Sequence, residues 1–330
     1  MTANLAPVAE DGTALGPLVS RLKAAADPLR LAVLQVLGQS SFGVLELGEI
    51  LAMRQSGMSH HLKVLARAGL VETRREGNAI FYRRALPAMD DALHSALLDQ
   101  VDAAELDADV AGRLAAVQDR RAGRSREYFA RLRDDGELGG DQELIADYPQ
   151  YADLAWRLLQ RARPGGGELA VEIGPGDGRF LVQLATDYRQ VTGYEASPAM
   201  LSRAQRRVTE QGLEQVRLVR GEWPAAAPDE AAADAVVLNM VLHHMPAPAD
   251  SLRAAARRLK TGGVMLITEL CEHDQQWAHE SCGDLWLGFD EEELLDWAQR
   301  AGLTQLESQY LAQRNGFQVQ IRTFVRNGDR

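Results

Sequence analysis

The sequence has few residues that could form disulfide cross-links and no long apolar run that could cross a membrane. Only two cysteines occur among 330 residues, Cys271 and Cys282, which excludes a disulfide scaffold and favours a reducing cytoplasm. No apolar run approaches the ~18 residues of a membrane helix, and the N-terminal stretch has neither the basic nor the apolar segment of a secretory signal. With 46% hydrophobic and 25% charged residues, we expect a globular cytoplasmic protein of about two domains and no membrane partner.

Charge is unevenly distributed along the chain. The net charge of -11 argues against nonspecific nucleic-acid binding by the whole molecule. Residues 54–84, however, carry seven Lys and Arg against two Glu, whereas residues 141–330 carry 19 Lys and Arg against 28 Asp and Glu. A basic island on an acidic protein indicates a local binding surface for a polyanion.

Turn signals and hydrophobic periodicity predict four segments. We expect a flexible tail at 1–16, a small α+β domain at 17–101, a helical linker at 102–141 and an α/β domain at 142–330. Residues 87–133 are predicted as helix throughout, because apolar residues recur at helical spacing with charges between them. In the last segment strands alternate with helix-length stretches, which is typical of a parallel sheet.

The small domain contains the pattern of a helix-turn-helix. Asp27-Pro28 begins a helix, Val44 to Met53 predicts a second, and a third follows from Gln55 to about Ala68 after a tight turn. The outward-facing polar residues at the start of the third helix are candidates for contacts with base edges or phosphates. These DNA-binding candidates are Gln55, Ser56, Ser59, His60 and Lys63.

A hairpin follows the third helix. Residues 70–85 alternate as strand, turn and strand, with the turn at Glu76-Gly77-Asn78. Arg74 and Arg75 near this tip would lie along a phosphate ridge or in a minor groove.

Three pieces of this region resemble the ArsR family of winged-helix repressors. They are DPLRLAVLQVL, QSGMSHHLKVLARAGLV and TRREGNAIFYRR, which fall in order across residues 18–100. The resemblance implies double-stranded operator DNA as a partner. It also implies a homodimer formed through helices near Leu18–Ala26 and Met89–Val101.

The sequence departs from the metal-sensing members of that family. Where those members have paired cysteines, it has Leu47, Ile50 and Leu51. Asp91 and His94, with the neighbouring Asp90, could hint at a second type of metal site, but a solvated helix face is the simpler interpretation. We predict no metal in this domain.

The most informative stretch of the last segment is ELAVEIGPGDGRFL at 168–181. A strand runs into three closely spaced glycines, Gly174, Gly176 and Gly178, which let the backbone turn sharply and approach a ligand. Their spacing differs from the G-x-G-x-x-G of dinucleotide sites. Glu172 precedes them by two residues, and an acid there suits a cationic ligand better than a pyrophosphate.

Further candidates follow at successive strand ends. Glu195, 17 residues after Gly178, can accept from both hydroxyls of a ribose. Glu222 can accept from an adenine amino group, and Trp223 offers an apolar wall. The remaining candidate residues for this cofactor site are Ala196, Met200, expected against adenine, and Asn239, expected under the amino-acid part of the ligand.

This succession resembles the class I S-adenosylmethionine-dependent methyltransferases, across roughly 142–330. The resemblance implies a Rossmann-like seven-stranded sheet with S-adenosylmethionine or S-adenosylhomocysteine as cofactor. Tyr128-Phe129 resembles the helix that covers the cofactor in that family, or is a core aromatic pair. Both likenesses on one chain match ArsR-type regulators fused to a methyltransferase-like domain.

Two sets of residues could carry chemistry. His243 or His244 follows the fourth strand, where a histidine could take a hydroxyl proton; we name His243 as the catalytic candidate, although one packed and one exposed histidine is an alternative. Cys271, His273, His279 and Cys282 are ligand types for zinc, but their spacing fits no common zinc finger. We predict no metal there either.

Three functions are consistent with these sequence patterns. The chain is a DNA-binding regulator, a repressor, that senses an adenosyl ligand; or a small-molecule methyltransferase that uses the winged helix to dimerise; or a regulator that retains activity. The basic island favours the first over the second. Nothing in the sequence separates the first from the third, because methyl transfer mainly needs positioning of the reactants.

Overall fold

The computed structural model describes residues 15–77, 79–88, 91–131, 145–226 and 232–328. The chain forms two compact units that divide between Val117 and Gln118. Among the helices described, none is long and apolar enough to cross a membrane.

The N-terminal unit contains short helices and a small antiparallel sheet. Its helices are α1 Gly16–Ala25, α2 Pro28–Leu37, α3 Val44–Ile50, α4 Gln55–Arg67 and α5 Ala92–Ala103. Its strands are β1 Phe42–Gly43, β2 Val71–Glu76 and β3 Ala79–Arg84, in the order β1-β3-β2. The predicted helix-turn-helix and hairpin are confirmed.

Local chemistry explains these elements. The Asp27 carboxylate accepts a hydrogen bond from the backbone N–H of Arg30 and caps α2. In α4, Met58, Leu62 and Leu65 recur at helical spacing and are all buried. The opposite face of α4 therefore stays in solvent, available to a ligand.

A break interrupts the helical stretch after α5. Residues 104–107 are not helical, and α6 Ala108–Arg131 begins after them. The Asp107 carboxylate accepts hydrogen bonds from the backbone N–H groups of Asp109 and Val110, at 3.0 and 3.1 Å, so it caps a new helix. The prediction of one continuous helix over 87–133 is therefore wrong; residues 89, 90, 132 and 133 lie outside the described part.

The C-terminal unit alternates strands and helices. Its helices, after α6, are α7 Tyr148–Ala162, α8 Arg179–Asp187, α9 Pro198–Glu210, α10 Pro248–Arg257, α11 Trp277–Ser281 and α12 Glu291–Arg300, with a short 3-10 helix at Leu242–His244. Its strands are β4 Gly167–Ile173, β5 Tyr188–Glu195, β6 Val216–Arg220, β7 Ala233–Asn239, β8 Leu259–Leu270, β9 Leu303–Ala312 and β10 Gln318–Arg326.

These strands form one seven-stranded sheet in the described part of the chain, in the order β6-β5-β4-β7-β8-β10-β9. The first five are parallel, and β10 runs antiparallel between β8 and β9. Strand order reverses between β4 and β7, and ligands of open α/β sheets bind beyond the carboxyl ends of the strands at such a point. The predicted fold class, a winged helix-turn-helix followed by a Rossmann-like seven-stranded sheet, is confirmed.

Candidate functional site

A cavity of about 630 Å³ lies at the carboxyl ends of the central strands. That volume is within the range of small-molecule sites. The final residues of four parallel strands line it: Ile173 of β4, Glu195 of β5, Arg220 of β6 and Asn239 of β7. The cavity therefore occupies the place where this topology binds ligands.

The glycine loop forms one wall. Gly174, Gly176 and Gly178 all have positive φ, of 66°, 56° and 80°, a conformation that favours glycine. A Cβ on Gly174 would lie 2.4 Å from a side-chain carbon of Val241, whereas a Cβ on Gly176 would meet nothing within 4 Å. Gly174 is thus required by packing within the protein, and Gly176 leaves space open beside the cavity.

Glu172 lies at the end of β4, buried and facing the cavity. Its Oε2 atom has no hydrogen-bond partner among the described residues. Burial, together with the negative charges of Asp177 and Glu195, raises the pKa of Glu172 to about 8. An isolated carboxyl of this kind is suited to a cation, whose charge would lower that pKa again.

Glu195 lies at the end of β5 and organises the loop across from it. Its carboxylate accepts from the backbone N–H of Gly176 at 3.0 Å and of Ser197 at 2.7 Å. Burial raises the pKa of Glu195 to about 7, although backbone hydrogen bonds oppose that rise. Ala196 and Met200 line the same part of the cavity, Ala196 exposed and Met200 buried.

The next strand end brings Glu222 and Trp223 to the cavity. The Glu222 carboxylate accepts from the Arg126 guanidinium of α6 at 2.6 Å. The Trp223 ring lies 5.4 Å from the Tyr194 ring, and its indole N–H donates to the carbonyl of Ser251 at 3.1 Å. Trp223 is thus held as a wall of the cavity.

Helix α6 supplies site residues that sequence reasoning missed or left open. Arg126 was missed, because nothing in its local sequence marks a partner almost 100 positions away. Phe129 lines the cavity, and its ring lies 5.0 Å from that of His244. Tyr128 faces elsewhere and donates its hydroxyl to the carbonyl of Ser281 at 2.9 Å.

Asn239 ends β7, next to β4 in the sheet. Its Oδ1 atom is buried and has no partner among the described residues. Together with Glu172 it places two unpartnered acceptor oxygens on neighbouring strand ends, facing one cavity.

The two histidines after β7 lie in different surroundings. His243 is buried outside the cavity lining, with Nδ1 2.7 Å from the Glu269 carboxylate. Although burial opposes the rise, the charges of Glu269 and Asp284 raise the pKa of His243 to about 9. The prediction of His243 as a general base is corrected, because the residue lies outside the cavity lining and is bound to Glu269. His244 lines the cavity, and burial together with the His243 charge lowers its pKa well below the usual value.

The four cysteines and histidines of the 271–282 segment do not form the metal site that their types allowed. His273 packs its ring 4.6 Å from that of Phe317, and His279 places Nδ1 2.7 Å from the Asp284 carbonyl. Cys282 is buried in the core. In the described ranges, the one group of three or more such side chains with converging donor atoms is instead His243, His244 and Asp284.

In the N-terminal unit, α4 presents most of the predicted DNA-binding side chains to solvent. Gln55, Ser56, His60 and Lys63 are exposed, and Ser59 is half-buried. Two exposed cations at the ends of this helix, Arg54 and Arg67, were missed as site residues although both belong to the basic island.

The hairpin separates the two arginines that the sequence treated alike. Arg75 is exposed, whereas Arg74 is buried and its guanidinium pairs with the Glu76 carboxylate on the same strand. The expectation that Arg74 is presented to a phosphate is therefore corrected, because its charge is already matched inside the protein.

Comparisons with known proteins match the two units to different families. The family described as Helix-turn-helix domain matches residues 25–74, and the family described as Methyltransferase domain matches residues 171–267. The transcriptional activator HlyU of Vibrio cholerae is 41% identical over 76 residues, which are 22% of this chain and 70% of HlyU.

Two further relatives concern the C-terminal unit. The ubiquinone biosynthesis O-methyltransferase of Stutzerimonas stutzeri is 33% identical over 119 residues, 36% of this chain and 50% of that enzyme. The N-methyltransferase NodS from Bradyrhizobium japonicum, solved with S-adenosylhomocysteine, is 16% identical with a TM-score of 0.50, over 62% of this chain and 100% of NodS. At that identity the likeness to NodS shows the fold.

The chain spans 37% to 60% of the length of four of the curated relatives that it matches. For HlyU the share is larger, at 70%. The chain belongs to the ArsR-type family of helix-turn-helix transcription regulators and carries a class I methyltransferase domain in the same polypeptide.

Proposed function

We propose that this protein is a dimeric DNA-binding regulator, a repressor, whose C-terminal domain binds S-adenosylmethionine or S-adenosylhomocysteine as its effector. The observation that carries the ligand assignment is the pair of unpartnered acceptor oxygens, Glu172 Oε2 and Asn239 Oδ1, on adjacent strand ends beside the glycine loop. Buried acceptors without partners cost free energy, and a ligand ammonium group would satisfy both.

The rest of the cavity fits the other parts of such a ligand. Glu195 lies one strand further along and has acceptor capacity for the two hydroxyls of a ribose. Met200 and Trp223 supply apolar walls for an adenine ring. The open space beside Gly176 admits the ligand without displacing a side chain. NodS, which shares the fold, was solved with S-adenosylhomocysteine.

The DNA assignment rests on the N-terminal unit. The exposed polar and basic face of α4 is the shape and charge that a major groove accepts. A homodimer is supported by exposed apolar side chains on α1 and α5, which are Leu18, Val19, Leu22 and Leu93. Exposed apolar side chains such as these favour burial against a second copy.

Methyl transfer is a second function that one observation favours. The Nε2 atom of His244 is buried, has no partner among the described residues and belongs to a residue that lines the cavity. It offers a hydrogen bond to a second molecule bound beside the adenosyl ligand. Methyl transfer from a sulfonium needs little more than positioning of the acceptor.

Calorimetric titration of the full chain with each adenosyl ligand, with and without its own promoter DNA, tests the proposal. We expect saturable binding of at least one ligand and a change in its affinity when the DNA is present, since coupling between two sites is reciprocal. If neither ligand binds, the effector assignment is contradicted. Production of S-adenosylhomocysteine from S-adenosylmethionine with a phenolic or amine acceptor would establish the enzyme function instead.

A further inference from the structure

A compact polar cluster lies beside the cavity, where a buried interior would ordinarily be apolar. It contains His243, His244, Glu269 and Asp284, and the side chains of both acids are 0% exposed. Glu269 accepts hydrogen bonds from the backbone, and Asp284 faces both imidazole rings.

Glu269 fixes the orientation of the His243 ring. Its carboxylate accepts from the backbone N–H groups of Val241, Leu242 and Leu270, at 3.0, 2.7 and 3.1 Å. The remaining contact is with His243 Nδ1 at 2.7 Å. Because every other neighbour donates to this carboxylate, Nδ1 carries the proton and donates as well. The other ring nitrogen, Nε2, is then directed away from Glu269.

Nε2 faces another carboxylate, and a metal ion bound there would take the place of the proton on Nε2. His243 Nε2 lies 3.8 Å from Asp284 Oδ1, and His244 Nδ1 lies 3.6 Å from the same oxygen. Both separations exceed the 2.7–3.2 Å of a hydrogen bond. His244 Nδ1 also lies 3.3 Å from the Gly283 carbonyl, a contact that a metal ion would replace. Two ligands of one tetrahedral zinc ion, each about 2.0–2.1 Å from the metal, are roughly 3.3–3.5 Å apart. The spacing is therefore a few tenths of an ångström wider than two ligands of one ion require.

We propose that His243 Nε2, His244 Nδ1 and the Asp284 carboxylate bind a first-row divalent transition-metal ion. Each of these three side chains offers a donor atom within 4.8 Å of the donor atoms of the other two. Two imidazoles and one carboxylate suit zinc and its neighbours rather than magnesium or calcium. Glu269 is the carboxylate that orients a ligand histidine through its other ring nitrogen, as in established zinc sites.

Charge supports the same assignment. A divalent ion would place two positive charges beside the buried carboxylates of Glu269 and Asp284. The ion would join the loop after β7 to the segment at Asp284. It would also fix His244 with its proton on Nε2, so that the cavity gains a hydrogen-bond donor at that point.

Metal analysis of the full chain, prepared without a nickel column and treated with a chelator, tests the site. After addition of Zn²⁺ and removal of the excess, we expect one ion per chain. Co²⁺ in its place should give the visible absorption of a nitrogen- and oxygen-ligated ion. Asp284→Asn and His244→Gln should each weaken Zn²⁺ affinity by at least about 100-fold, because each removes a ligand and outer partners alone contribute 10–100-fold.

His273→Gln is the matched control, since His273 lies in the same unit but packs on Phe317. It should bind Zn²⁺ as the unaltered chain does. His244→Gln keeps the test valid should Asp284→Asn fail to fold, because His244 borders the cavity rather than the core. An unaltered chain that retains no zinc overturns the proposal. Loss of zinc in His273→Gln with retention in His244→Gln would also overturn it, and would assign the metal to the Cys and His segment.

Discussion

Binding of an adenosyl ligand should release a proton from Glu172. In the ligand-free protein the pKa of Glu172 is raised to about 8 by burial and by the neighbouring charges of Asp177 and Glu195. The carboxyl is therefore mostly protonated at pH 7. A ligand ammonium group at Oε2 favours the ionised form, so binding at neutral pH expels the proton.

The magnitude follows from the size of that shift. Each pH unit below the pKa adds about 1.4 kcal/mol to the free energy of ionising the group. Relative to fully ionised Glu172, affinity should be lower by about tenfold at pH 7 and about 100-fold at pH 6. Affinity thus rises with pH up to about 8, and falls above that value as the ligand amino group, with a pKa of about 7.7–8.0, loses its charge. Glu195, whose pKa is about 7, adds a second proton below pH 7 if the ribose hydroxyls stabilise its ionised form.

Calorimetry in buffers of different ionisation enthalpy counts the protons directly. Glu172→Gln should abolish the proton release at pH 7.5, and Glu195→Gln should reduce only the part below pH 7. Glu168→Gln is the control, because Glu168 lies on the same strand with its side chain 67% exposed. Equal affinity of the unaltered chain at pH 6.2 and pH 7.5, without proton release, would refute the role of Glu172 as the cation-binding residue.

Three other predictions concern the two units and their coupling. Gly176→Val should lower adenosyl-ligand affinity at least about tenfold by calorimetry, because the valine side chain enters the open space beside the cavity. The left-handed backbone at this position should also lower stability by about 1–2 kcal/mol. Unchanged affinity would contradict the position of the ligand. Arg75→Ala should reduce the slope of log operator affinity against log salt concentration by about one in anisotropy titrations. Arg74→Ala should leave that slope unchanged, because Arg74 pairs with Glu76. The reverse result would show that the hairpin binds DNA in another orientation. Saturating adenosyl ligand should change operator affinity by about 5–150-fold in gel shifts, and we expect the ligand to release the DNA. Identical affinity with and without ligand would mean that the two domains act independently.

Features that depend on neighbouring residues were accessible from the sequence. Asp27 caps α2, and Met58, Leu62 and Leu65 are buried on one face of α4, because helix capping and helical periodicity are properties of a few adjacent positions. The glycine loop was recognisable for the same reason, since its positive φ angles require a particular residue type. Asp107 also marked the start of α6, because Asp is a good capping residue. The prediction missed this start because helical periodicity continues on both sides of Asp107.

Features that depend on contacts across the fold were decided only by the tertiary structure. Arg74 and Arg75 have the same chemistry, yet side chains on a strand alternate between faces, and only packing determined that Arg74 is the buried one. His243 and His244 are likewise identical in type. Glu269, 26 residues later in the chain, holds His243 away from the cavity and leaves His244 lining it. The sequence by itself thus determined which residue types reach each region, through local backbone preference and periodicity. Which of two equivalent side chains meets the ligand was determined by partners that only folding brings together.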